Sequence, residues 1–337
     1  MGAITLGPTP LPSPIGECMF RFLLKSLALL GVSAILGSLV IFMLLRTVGG
    51  DVANIIAGTK ASPETVNALR ESLGLNRPLW EQYFGWLGGV ITGDFGTSYA
   101  AGYDIGGEIA RRLEPTLAIT TGTLIVSIPI ALAIGTYAAL NHRRVRGLAV
   151  DAAAQVGIGL PPFFLALVLV LLFSVQLGWL PATGYVYFAD DPVSHFRSLV
   201  LPVAALSIGV VANLARFVRS AMIEQLGEDY MRMARAKGRT LRGAAVVHGV
   251  RNAAIPLVSV SALQFATLVT GAVIVENVFV LPGLGRLLLT AVLGREVIVV
   301  QSLMLVILLF ILVLNFLADI IYGFLDPRIR GREVSGD

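Results

Sequence analysis

An all-α protein that crosses a membrane several times is the fold this sequence predicts, and three observations predict it. Of its 337 residues 56% are apolar and only 14% charged, against about 25% charged in an ordinary soluble domain, so its surface cannot face water on all sides. Six charge-free runs reach about the 20 residues a helix needs to cross the hydrocarbon layer. They are Ser26 to Leu45, Pro115 to Leu140, Ala152 to Ala189, Ser198 to Ala215, Asn252 to Val275 and Val297 to Ala318. Third, the basic residues are sorted between the gaps that separate these runs.

Residues 1–20, with Pro8, Pro10, Pro12 and Pro14, read as a disordered cytoplasmic tail, and Met19 with Arg21 and Lys25 forms a self-sufficient basic start to the first span. The loop between spans one and two is too polar for the bilayer and too rich in helix signals for disorder. Ser62 is an N-cap, Pro63 takes the first helical position and Gly74 closes that helix. Trp80 to Leu87 forms a second, aromatic amphipathic stretch, which fits a small cap on the outer membrane surface, a packed connector or a contact for an external partner. The third run is too long for one helix and tight for two. It contains Pro161 and Pro162, which kink or break a helix, and it ends in Gly178-Trp179-Leu180-Pro181, an interfacial turn. It reads as one long span from about 148 to 177.

Orientation follows from basic residues retained on the cytoplasmic side. Sixteen of the 25 basic residues lie before span one, between spans two and three, between four and five, and after six. The loop from 46 to 114 carries eight acidic against six basic residues. Both termini are therefore expected in the cytoplasm.

Chemistry-bearing residues are sparse. One cysteine, Cys18, excludes an internal disulfide, and His142, His195 and His248 are far apart. No metal site, cofactor or catalytic residue is expected, and no Gly-x-x-x-x-Gly-Lys-Ser/Thr phosphate loop occurs. In span five Gln264, Thr267 and Thr270 are candidates for a translocation path, or else polar glue between helices. Glu276 and Asn277 at its outer end, and Asp319 at the inner end of span six, are functional candidates as polar groups near membrane depth, or structural pairs.

The segment from about 224 to 252 is the most informative. A good helix former runs to Lys237, Gly238 interrupts it, and a second pattern after Arg239 places Leu241, Ala244, Ala245 and His248 on one face. A plain connector needs only a few residues. Helix, break, helix with basic flanks offers a short rigid element to a cytoplasmic protein, or lies on anionic lipid.

This segment resembles the coupling loop of ATP-binding-cassette importer permeases, in the variant of the dipeptide, oligopeptide and nickel subfamily: Asp229-Tyr230, then Ala234-Arg235-Ala236-Lys237-Gly238, then His248 and Arg251-Asn252-Ala253. In the general pattern, Arg232 and Met233 stand where Glu and Ala would be. Further segments match in order: Leu73-Gly74-Leu75-Asn76-Arg77-Pro78, Gly93-Asp94-Phe95-Gly96-Thr97-Ser98, Gly178-Trp179-Leu180-Pro181, Glu276-Asn277-Val278-Phe279, Pro282-Gly283-Leu284-Gly285 and Leu325-Asp326-Pro327-Arg328.

The resemblance implies a type I importer permease fold with six transmembrane helices, in a bacterial cytoplasmic membrane. It implies domains at 1–20 (tail), 21–112 (first helix and outer loop), 113–323 (helices two to six) and 324–337 (tail). The chain would be a transport subunit without its own ATPase site. Its partners would be a second permease of similar fold, two cytoplasmic ATPase subunits, an extracytoplasmic binding protein and membrane lipid, with no nucleic acid. Asp229, Tyr230, Arg232, Ala234, Arg235, Lys237, Gly238 and His248 would form the ATPase-coupling loop, Ala234 allowing close approach and Arg232, Arg235 and Lys237 meeting acidic groove residues. A short peptide is the expected cargo; a nickel chelate, glutathione or another small solute is the alternative. A secondary transporter or channel, the other functional class, would show an inverted repeat or ionisable groups at mid-membrane.

Overall fold

The computed structural model describes residues 15–48, 52–58 and 61–325. Most of the expected N-terminal tail, and the C-terminal segment with Arg328, Arg330 and Arg332, lie outside the described residues. Helix α1, Ile15–Val48, begins four residues ahead of Met19 and carries the first apolar run. Its outer face, with Leu27, Val32, Ile35, Leu36 and Val40 exposed, is the lipid-facing surface that a span requires.

Three short helices follow: α2 (Val52–Ala57), α3 (Pro63–Ser72) and α4 (Leu79–Thr92). The α3 start is the expected one, since the Ser62 hydroxyl accepts the Thr65 N–H at 3.2 Å with Pro63 at the first turn. Its end is the expected one too, with Gly74 at φ +65°. A tight loop, bridged between Thr97 and Asp104, leads into α5 (Ile105–Leu140), whose first turn is capped by the Asp104 carboxylate accepting from Gly107 N at 2.6 Å.

The third run, expected as one long span with Pro161 and Pro162 kinking or breaking its helix, is sharply bent at those prolines. It forms α6 (Val145–Gly159) and α7 (Pro162–Leu169), the latter running on as a π-helical turn over Val170–Gln176, and the two arms meet at 99°. The cause is local. Leu160 precedes a proline and is extended (φ −82°, ψ 123°), Pro161 is extended as well (φ −63°, ψ 140°), and neither proline can donate to the preceding turn.

Helix α8, Pro192–Gly227, starts on Asp191. Bonds from the Ser194 hydroxyl (2.6 Å) and the Val193 N–H (3.0 Å) hold that carboxyl below its ordinary value. The chain then forms α9 (Asp229–Ala236), α10 (Leu241–Ala244), a π-turn over Ala245–Gly249, α11 (Val250–Val278), α12 (Leu284–Leu293) and α13 (Val297–Leu325). All six apolar runs are thus predominantly helical. Four lie in single helices long and apolar enough to cross a membrane (α1, α5, α8, α13) and the third in the bent α6–α7 pair. The fifth lies in α11, 29 residues long, with a described apolar part over Leu263–Val278.

The bundle is held by close contact of small residues, as suits helices in lipid. The most extensive pairing is α5 with α8. At Gly135 an added Cβ would stand 2.6 Å from Val218 Cβ and 2.7 Å from the Ala215 carbonyl oxygen, so any larger residue would force the two helices apart. Gly157 lets α6 approach Ala212 of α8, and Gly271 lets α11 approach Leu206. The core continues without interruption into the segment between α8 and α11, where Met222 of α8 joins Met231, Ala234, Ala244 and Ala245. A second cluster, Ile105, Ile109, Leu284, Leu287, Val299 and Leu303, binds the start of α5 to α12 and α13.

Candidate functional site

The segment between α8 and α11 is built on the end of α8. Eight residues of α9 turn one face inward, with Met231 (1% exposed) and Ala234 in the core, and the other outward with Arg232, Met233, Arg235 and Lys237. Gly238 ends the helix in the left-handed region at φ +87°, which a side chain disfavours. Its N–H donates to Arg235 O (2.9 Å) and that of Arg239 to Ala234 O (3.2 Å), closing the last turn. The chain restarts at Thr240, whose hydroxyl accepts from Gly243 N at 3.1 Å. Tyr230 donates to Gln225 Oε1 at 2.6 Å and meets the His248 ring edge-on at 6.4 Å, tying α9 to α8 and to the π-turn. Asp229 pairs at the surface with Arg232 at 3.3 Å.

Two expectations change here. Ala234 is buried with Met231 in the core of its own chain, so the close approach its small side chain allows is to neighbouring elements of this chain. The face expected to carry Leu241, Ala244, Ala245 and His248 is split. The π-turn adds a residue per turn, so Ala244, Ala245 and Gly249 are buried while Leu241, Val246, Val247 and His248 are exposed. Exposed Met233, Val246 and Val247 with Arg232, Arg235 and Lys237 compose the outward surface of this element.

In α11, Leu263, Thr267, Thr270 and Ile274 are all exposed and, at spacings of four, three and four residues, share one face. Gln264 adjoins that face half-buried, and its side-chain oxygen accepts from Thr267 at 3.1 Å. Thr267 and Thr270 therefore do not cement α11 to another helix of this chain.

Glu276 is placed differently. It is 0% exposed, sealed between α5, α11 and α12. Its carboxylate accepts from the Thr116 hydroxyl (2.6 Å) and from Arg286 N (2.9 Å), while Leu284 N donates to that same Thr116 oxygen (2.9 Å). The carboxyl group and the hydroxyl together satisfy free N–H groups at the start of α12. Such proximity requires glycine: a Cβ on Gly283 would overlap the Glu276 carboxyl, and one on Gly285 would stand 2.5 Å from Val273 Cα. The turn that brings α12 back also needs Val280 at φ 57°, an unusual conformation for a β-branched residue. Glu276 thus closes a structural joint and offers no free face to a solute. Asn277 is half-buried and donates to Val273 O of its own helix at 2.6 Å. Sequence reasoning missed Thr116, whose only signal was a threonine at the outer end of span two.

Glu114 of α5 accepts from the Tyr185 hydroxyl (3.0 Å) and from Phe188 N (3.2 Å), pinning the loop that precedes α8. Burial, and then the bond to Glu114, push the Tyr185 hydroxyl well above its ordinary value of 10.0.

The sequence matches the family of binding-protein-dependent transport system inner membrane components over residues 131–331, and the N-terminal part of such components over residues 19–120. A protein of Brucella abortus (strain 2308) named as a peptide transport system permease is 38% identical over 312 residues, 93% of this chain and 99% of its own length. The glutathione transport system permease protein GsiC of Escherichia coli (strain K12) is 36% identical over 312 residues, covering 93% and 99%. In fold the chain is similar to a chain of the inward-facing MetNI methionine ABC transporter, with a TM-score of 0.53 over 65% of this chain and 96% of that one, at 18% identity. The chain accordingly belongs to the inner membrane components of binding-protein-dependent transport systems, the permeases of ATP-binding-cassette importers.

Proposed function

We propose that this permease moves short peptides across the cytoplasmic membrane, and that α9 with its Gly238 break is where separate ATPase subunits drive it. The observation that carries the coupling reading is the two-sided build of α9. Met231 and Ala234 bury one face of it in the core that includes Met222 of α8, so its movement is carried to the bundle, while Met233, Arg235 and Lys237, with Arg232 in its surface pair with Asp229, stay exposed to be gripped. A rigid element of that kind transmits a two-state closure of bound ATPases to the helices. The lack of a phosphate loop in the sequence supports hydrolysis on other chains.

The peptide cargo is supported by the relatives' names, with glutathione, itself a small peptide, inside the same class. The open α11 face of Thr267 and Thr270, with Gln264 beside it, is the candidate path, facing a second permease of similar fold across the pore. Glu276 and Asn277 are left out of that path because they are engaged within the chain. Cargo would arrive on an extracytoplasmic binding protein. Both termini would lie in the cytoplasm on the side of the basic loops, and the transport domain proper would span 113–323 behind a first helix and outer loop at 21–112.

Replacing Gly238 by proline tests this. Proline fixes φ near −65°, which the +87° position does not admit. In a chain that still inserts and assembles, ATP-dependent uptake is expected to vanish and stimulation of the ATPase by loaded binding protein to be lost. Normal uptake by that variant would refute the assignment.

A further inference from the structure

Helix α4 touches α1 at three places that fall in order along α1. The Arg46 guanidinium donates to Gln82, Phe42 stacks with Trp86 (6.1 Å, 27°), and the Tyr83 hydroxyl sits 2.8 Å from Ser38 Oγ and 3.5 Å from Ile35 O. Arg46, Phe42 and Ser38 are spaced by four residues inside the span Leu23–Thr47, so each lies about 6 Å deeper than the one before. Around the axis of α4, at 100° per residue, Gln82, Trp86 and Tyr83 follow one another in a single rotational sense. Continuing in that sense, the next positions are Leu87, Trp80, Ile91 and Phe84. That face therefore looks past Tyr83 toward the middle of the bilayer.

It is also bare. Trp80 and Phe84 are each 63% exposed and Ile91 78%. From Gln82 to Gly93 there is no charged residue. The opposite face is the more polar one: Glu81 and Gln82 line a cavity of about 360 Å³ together with Arg46, Arg77 and Gln301, and with apolar Phe42, Leu45 and Trp86.

We infer that α4 is sunk into the outer leaflet, with Trp80, Phe84 and Ile91 among the acyl chains and the Glu81 side toward water. The occupant is lipid because the face points to a depth that a water-soluble partner does not reach, and because it continues the exposed apolar surface of α1. Aromatic side chains at the membrane boundary suit that position. The cap between spans one and two is then a membrane-anchored plate and not a free extracytoplasmic loop.

The test is site-specific photocrosslinking in the intact transporter in its native membrane, with p-benzoylphenylalanine replacing Phe84, Ile91 or, as the water-facing control, Arg77. The expected result is a peptide mass shift of one phospholipid at positions 84 and 91 and none at 77. A crosslink from 84 or 91 to any polypeptide would hand the face to the second permease or to the binding protein. Equal lipid labelling at 77 and 84, or none at 84 and 91, would also overturn the inference. Two positions are used so that a folding defect at either one leaves the other readable.

Discussion

The carboxyl of Glu276 and the hydroxyl of Thr116 lie 2.6 Å apart, and this contact fastens the end of α11 to α5 across 160 residues of chain, while Leu284 N at the start of α12 donates to the same hydroxyl. Breaking it strands the buried backbone donors of Leu284 and Arg286. Thr116→Val is expected to cost about 1–3 kcal/mol, and Glu276→Ala about 3 kcal/mol or more, by leaving polar groups unpaired. The double variant should cost less than the sum, since both act on one network. Thermal unfolding of the purified chain in detergent reads all three.

The glycines at that joint make a separate prediction. Gly283→Ala pushes a methyl group into the Glu276 carboxyl and Gly285→Ala one into the Val273 backbone, and overpacking of this kind costs about 1–3 kcal/mol. Pairing Gly283→Ala with Glu276→Ala should cost less than the sum of the two single changes, because the clash is absent once the carboxyl is gone. Assembled protein recovered from membranes is the measurement.

Helix α9 divides stability from coupling by face. Met231→Ala removes a side chain only 1% exposed and is expected to destabilise by about 2–5 kcal/mol. Arg235→Glu and Lys237→Glu change exposed charges and should leave unfolding within about 0.5 kcal/mol while weakening co-purification of the ATPase and uptake together. Equal stability losses on both faces would contradict the two-sided reading.

Thr267 and Thr270 test the path. Both are exposed in this chain, so Thr267→Trp should leave the isolated subunit's stability unchanged and sharply reduce uptake by the assembled transporter. Undiminished uptake would move the path away from this face.

The Tyr185 hydroxyl gives a pH signature. Its folded value is raised above 10.0, with burial the larger cause and Glu114 the next, so the folded state holds the proton more tightly than the unfolded one. Its contribution is complete below pH 10 and fades as pH rises further. Wild-type protein should therefore lose stability more steeply above that pH than Tyr185→Phe, as followed by unfolding across an alkaline series.

Local chemistry was legible in the residues alone. The apolar runs, the sorting of basic residues, the Ser62–Pro63 start and Gly74 end of α3, and the break at Gly238 all depend on side chains within a few positions of one another. The Leu160-Pro161-Pro162 break was legible too, although its 99° angle was not. Tertiary structure alone decided which faces are spent inside the chain. Ala234 reads as a site of close approach in the coupling loop until its side chain is seen buried with Met231 in the core of its own chain. Glu276 reads as a candidate on the solute path until Thr116 and the N-terminus of α12 close over it. The physical reason is that a helical pattern tells which residues share a face, whereas what covers that face depends on helices packed from distant parts of the chain.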